Sequence, residues 1–296
     1  MIKLYKRELY LKKIRGFYND TETIKVITGI RRCGKSSLLD TIIDELQEQG
    51  VKEKDIIEIK LDKRPNKNIK TPDQLDKLIE SYILDDDFKY IFLDEIQNVK
   101  GFEEVIEGYR NEQKYSIFIT GSNSYLLSGE LVTKLTGRKI EIEMLPLNFY
   151  EYVDMKKFLN ISLKESIYDE FEQYIREGGF PGALNYNNEQ DRKLYVQNIL
   201  DDIFIKDIKE NQKIKNSEIF KNIQRYIINN FGSMLSASSI QKYYESININ
   251  IDVRTIEKYI QLLCDAKIIY PCETFDIKSK MSLSGEKKYY LADLSI

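Results

Sequence analysis

The 296-residue chain contains no histidine. That absence excludes Ser-His-Asp triads, histidine general bases and histidine-containing zinc sites, and leaves acid-base chemistry to carboxylates. Cysteine is scarce: Cys33, Cys264 and Cys272 form no CxxC pair, which excludes a disulfide scaffold and fits a reduced, cytoplasmic location. No run approaches 18 consecutive apolar residues, and the opening MIKLYKRELYLKKIRGFY mixes charge with hydrophobics at helical spacing. A membrane span and a secretory signal are therefore not expected. Positive charge is not in excess either. Lys and Arg number 45 against 48 Asp and Glu, a net charge of −3, so the whole-molecule field does not favour polyanions.

What is present is 42% hydrophobic and 31% charged residues, enough apolar material for two or three packed modules. The first third alternates β-branched runs with amphipathic stretches, the pattern of an α/β fold with a parallel sheet covered by helices. Strands are expected at Lys25–Thr28, Ile56–Leu61, Tyr90–Leu93, Ser116–Thr120 and Lys139–Met144, and crossover helices at Lys35–Gln49, Thr71–Leu84 and Gly101–Lys114. Together they give a five-stranded parallel sheet. After Pro146 helical periodicity takes over, through Phe149–Phe158, Leu163–Arg176, Asp191–Ile208 and Ser217–Asn230. Gly178, Gly179, Pro181 and Gly182 mark a tight turn among these helices. From Phe231 a helix at Ser236–Glu245, a second opening at the N-cap Asp252, and strands in IIYPCETF and KKYYLADL suggest a winged helix. The expected domains are a core over 1–145, a helical lid over 146–230 and a winged helix over 231–296.

GIRRCGKS, Gly29 to Ser36, fits the pattern G-x-x-x-x-G-K-[ST] between an expected strand and an expected helix. The nucleotide-binding segment is therefore Gly29, Ile30, Arg31, Arg32, Cys33, Gly34, Lys35, Ser36 and Ser37. Its backbone amides and the helix N-terminus cradle phosphate, Lys35 reaches the β- and γ-phosphates, and the Ser36 hydroxyl suits Mg²⁺. YIFLDEIQ ends an apolar strand in Asp94 and Glu95. Asp94 is expected to support the metal and Glu95 to polarise a water, the base role left open by the missing histidine. Ser122 and Asn123 follow the next strand, where they either contact the γ-phosphate or simply close a hydrogen-bonded turn. Arg138, before the last strand, is either a guanidinium for the transferred phosphoryl group or a solvated surface charge.

These segments resemble P-loop ATPases of the AAA+ class, with GIRRCGKSSLL, YIFLDEIQ, IFITGSNSYLLS, LTGRKIEIEMLPL and GGFP in that family's order. More narrowly, the chain is similar to prokaryotic AAA-type ATPases in which a helical lid, a winged helix and a carboxy-terminal domain of unknown function follow the core. TIEKYIQLLCDAKIIYPCETFD and KKYYLADL resemble the winged-helix region. The resemblance implies ATP hydrolysis by Lys35, Ser36, Asp94 and Glu95, Ser122 or Asn123 as sensor, and Arg138 as arginine finger, an arrangement compatible with a homo-oligomer. It places the domain of unknown function beyond Ile296.

Three readings of function follow. The first is a switch or motor that uses ATP and Mg²⁺ to move core, lid and winged helix. The second is a nucleotide-regulated module that binds DNA or a protein partner, with slow hydrolysis. Residues 205–296 carry 14 Lys and Arg against 11 Asp and Glu, a small excess in its favour. The third is a small-molecule kinase, which the Asp94-Glu95 pair disfavours by pointing to water as acceptor.

Overall fold

The computed structural model describes residues 4–121, 137–209, 214, 216–276 and 281–296. The chain divides into two compact units, one of residues 1–145 with 150–163, the other of 146–149 with 164–296.

In the first unit, α1 (Glu8–Ile14) precedes β1 (Ile24–Gly29), α2 (Lys35–Glu48), β2 (Ile56–Lys60), α3 (Pro72–Glu80), β3 (Lys89–Asp94), α4 (Phe102–Asn111), β4 (Tyr115–Thr120) and β5 (Lys139–Met144). The strands form one sheet in the order β2-β3-β4-β1-β5, and every pairing is parallel. The three inner strands IKVITG, KYIFLD and YSIFIT are buried along their whole length, as a sheet covered on both faces requires. Ile24, Val26, Ile91, Leu93, Ile117 and Ile119 share a cluster with Leu75 and Ile79 of α3 and Phe102 and Ile106 of α4. Each such burial contributes about 1.5–3 kcal/mol, whereas surface ion pairs in general contribute about 0–1 kcal/mol. The apolar sheet therefore holds the strand ends where they are.

Helix limits follow the caps. Thr71 accepts the Gln74 amide in a capping box with Pro72 in the first turn, so α3 begins after Thr71. Residues 150–163 fold with the first unit, not with the helices after 164 as the sequence suggests. The physical reason is Glu151 of α5 (Phe149–Phe158), whose carboxylate takes two hydrogen bonds from the buried Arg7 guanidinium.

The second unit holds α6 (Ile167–Glu177), α7 (Glu189–Asp202) with a π-helical extension (Ile203–Lys209), α8 (Ser217–Asn229), β6 (Met234–Leu235), α9 (Ala237–Ser246), α10 (Val253–Asp265), β7 (Ile269–Asp276) and β8 (Met281–Leu291). Its three strands form an antiparallel sheet in the order β6-β8-β7. Helix, strand, helix, helix and hairpin is the order of a winged helix. Asp252 caps α10 by accepting the Arg254 amide at 2.7 Å. Ile256, Tyr259, Ile260, Leu262 and Leu263 are its buried residues, while Val253 in its first turn is half-buried. Among the described residues no helix is long and apolar enough to cross a membrane.

Candidate functional site

Parallel strands deliver their C-terminal ends to one edge of the sheet, and there β1 runs into the glycine-containing loop. Gly29 is paired with Met144 of β5 and has φ of 142°; a Cβ there would lie 2.1 Å from the Met144 carbonyl oxygen. Only glycine fits. Gly34, with φ of 107°, caps α2, so the helix N-terminus opens onto the loop. Lys35 is buried, and its ammonium donates to the carbonyls of Gly29 (3.0 Å) and Ile30 (3.2 Å).

β3 and β4 end side by side. Leu93 is in register with Ile119, which sets Asp94 beside Thr120. The Thr120 hydroxyl donates to Asp94 Oδ1 at 2.5 Å and accepts the Glu95 amide at 3.0 Å. Asp94 is buried. Burial pushes its carboxyl above the usual range, opposed by hydrogen bonds from the Thr120 and Ser36 side chains. The Ser36 side chain of the loop thus lies close to the carboxylate of β3. Glu95 occupies the left-handed region, φ 56° and ψ 47°, a conformation costing about 1–3 kcal/mol in a residue with a Cβ. The Gln97 amide donates to its carboxylate at 2.5 Å, and a short helical turn follows at Ile96–Asn98.

The loop after β1 and the end of β3 thus place Lys35, Ser36, Asp94 and Glu95 at one edge of the sheet. Cys33 is buried and its thiol is pushed up by burial despite nearby Lys35 and Arg7, so it fills space in the loop and is not an activated thiolate. Arg32 is exposed and Arg31 half-buried. Ser37 is exposed, its carbonyl accepting the Thr41 hydroxyl. Ser122 and Asn123 lie outside the described residues. Arg138 stands elsewhere: Lys139 pairs with Ile24 at the start of β1, whereas Met144 pairs with Gly29. It is exposed and faces Glu107 of α4 at 3.4 Å. Two residues of the site escape a sequence reading. Thr120 looks like an ordinary β-former at a strand end, and Arg7 like one more charge in a basic amphipathic segment.

Residues 21–153 match a family described as AAA domain. An uncharacterized protein of Haemophilus influenzae is 34% identical over 289 residues, covering 97% of this chain and 71% of that protein. The chain belongs to the prokaryotic AAA+ P-loop ATPases. A second member of comparable likeness is the uncharacterized protein MJ1544 of Methanocaldococcus jannaschii, 32% identical over 274 residues, or 90% of this AAA+ chain and 60% of its relative. The chain thus spans under two thirds of that relative's length. The fold is shared with the Walker-type ATPase PABY2304 of Pyrococcus abyssi at a TM-score of 0.65 and 16% identity, across 99% of this chain and 94% of the other. Residues 168–296 of the AAA+ chain match a domain of unknown function. That description falls on the α6–β8 segment.

Proposed function

We propose that this AAA+ chain binds ATP with Mg²⁺ and hydrolyses it, the cycle driving movement of the helical segment and winged helix as a switch or motor. The observation that carries the reading is the approach of the Ser36 side chain to the buried Asp94 carboxylate beside a lysine folded onto its own loop. One hydroxyl and one carboxylate at a strand edge form the sparse, hard-oxygen donor set that suits Mg²⁺. Ser36 and Asp94 would hold the ion, which when bound would neutralise phosphate charge. Lys35 leaves its carbonyl partners for those phosphates, the amides of Arg31 to Ser37 cradle them, and Glu95 orients the attacking water and accepts its proton. Ser122 or Asn123 senses the γ-phosphate. The test is a pair of variants: Lys35→Ala loses ATP binding and turnover, whereas Glu95→Gln binds ATP but loses nearly all hydrolysis. Turnover of Glu95→Gln at the parental rate, followed by phosphate release, would remove Glu95 from the base role.

A second reading, in which nucleotide regulates binding of DNA or a protein through the winged helix, is favoured by α10, which exposes Arg254, Lys258 and Gln261. Glu257 is exposed on the same helix. Each phosphate contact adds about 0.9 to the slope of log affinity against log salt, so two cations give weak, shallow DNA binding and leave a protein partner as the better fit. Fluorescence anisotropy with duplex DNA across a salt series checks this; nanomolar affinity at physiological salt would reverse the preference.

A further inference from the structure

We propose that Arg7 is a positioning residue of the phosphate-binding loop, fixing the peptide between Cys33 and Gly34 so that its amide faces the phosphate cradle. The inference rests on the nucleotide reading above. Arg7 is 5% exposed, and its guanidinium reaches three chain segments distant in sequence. Nη1 donates to the carbonyls of Cys33 (3.0 Å) and Leu145 (2.8 Å), while Nε and Nη2 donate to Glu151 Oε1 (2.9 Å) and Oε2 (2.6 Å). The same guanidinium lies over the Tyr10 ring, 4.6 Å from its centroid, and the Tyr10 hydroxyl accepts the Leu145 amide at 3.0 Å.

A trans peptide is planar, with its C=O and N–H pointing in opposite directions. Holding the Cys33 carbonyl against Arg7 therefore aims the Gly34 N–H away from Arg7. Gly34 itself sits at φ of 107°, where the backbone has unusual freedom and an outside anchor is needed to select one orientation. Replacing a buried pair by apolar side chains of similar volume is often neutral or stabilising, so stability alone gives little reason for Arg7 and Glu151. Geometry gives one: only a planar fork with five donors serves a carboxylate and two carbonyls together. The anchor is itself fixed, because Arg15 after α1 donates to Glu45 of α2 at 2.9 and 2.8 Å.

Arg7→Ala leaves the Glu151 carboxylate buried alone, so the informative variants are Arg7→Lys and the double substitution Arg7→Met with Glu151→Leu. Melting curves without nucleotide confirm that each is folded, and titration with a fluorescent ATP analogue and Mg²⁺ gives the affinity. Outer-shell positioning groups typically contribute about 10–100-fold, and both variants are expected to lose at least about tenfold in ATP affinity while the double variant melts near the parent. A merely structural role predicts the converse, a shifted melting temperature with parental affinity. Parental affinity in the folded double variant overturns the inference and leaves the nucleotide reading intact. A parent that fails to bind, or a Lys35→Ala protein that binds as tightly as the parent, overturns the nucleotide reading and the Arg7 role with it.

Discussion

The single hydroxyl of Thr120 serves two neighbours, donating to Asp94 and accepting from the Glu95 amide, and it does so fully buried. Thr120→Val keeps the shape and the β-branch but removes both bonds. Leaving a buried polar group unpartnered costs about 1–3 kcal/mol, and Glu95 also loses a restraint on its left-handed backbone. The expected outcome is a lower urea midpoint together with slower ATP hydrolysis, both largely recovered in Thr120→Ser, as urea unfolding and steady-state assays will report. At this scale the sequence is legible where phosphate chemistry dictates spacing: Gly29, Gly34, Lys35 and Ser36 are close in the chain because one loop must surround one phosphate group. Thr120 and Arg7 are illegible because their roles depend on partners 25 or more residues away, which nothing in local periodicity encodes.

Elements are set by their ends and by what approaches them. The five strands lie where β-branched runs place them. Helix ends shift with the caps, as at α6, where Ser166 accepts the Tyr168 amide and the helix begins four residues later than the apolar pattern suggests. The glycine turn after α6 has a packing reason. A Cβ on Gly179 would meet the Leu147 carbonyl oxygen at 2.0 Å, the Leu147 amide donates to the Gly179 carbonyl at 2.7 Å, and the Gly179 amide donates to buried Asp293 at 2.7 Å. Gly179→Ala must push these backbones apart, and overpacking of this kind costs about 1–3 kcal/mol. A fall in thermal midpoint is expected, with nucleotide affinity unchanged because the phosphate loop belongs to the other unit. An unshifted midpoint would show that the turn relaxes freely.

For the whole molecule, the position of Arg138 decides how many copies complete a site. The register sets it at the opposite end of β5 from Met144 and the phosphate loop, a separation of about 20 Å at about 3.3 Å per residue. A guanidinium there does not reach a phosphate bound by its own loop, so its proposed role as arginine finger requires a second copy. Specific ATPase activity should then rise with protein concentration. Mixing Arg138→Ala with Lys35→Ala should restore turnover that neither shows alone, through sites that combine an intact loop with a neighbour's arginine. An engaged finger contributes about 10³- to 10⁵-fold in rate, large enough to read in a mixing assay. Activity independent of concentration, with no recovery on mixing, would return Arg138 to its pairing with Glu107.

By itself the sequence determined the α/β class, the five strands, the phosphate loop and its acidic partner, and the helix, turn, helix and hairpin after Phe231. These are properties of local periodicity, of glycine and capping chemistry, and of motifs compressed into a few consecutive residues. Only the tertiary structure decided that Thr120 joins Asp94 to Glu95, that Arg7 ties the loop to Leu145 and Glu151, that residues 150–163 fold with the core, and that Arg138 faces away from its own loop. Each depends on strand order and register. Those are fixed by burying both faces of the sheet at once, a global condition that no window of sequence contains.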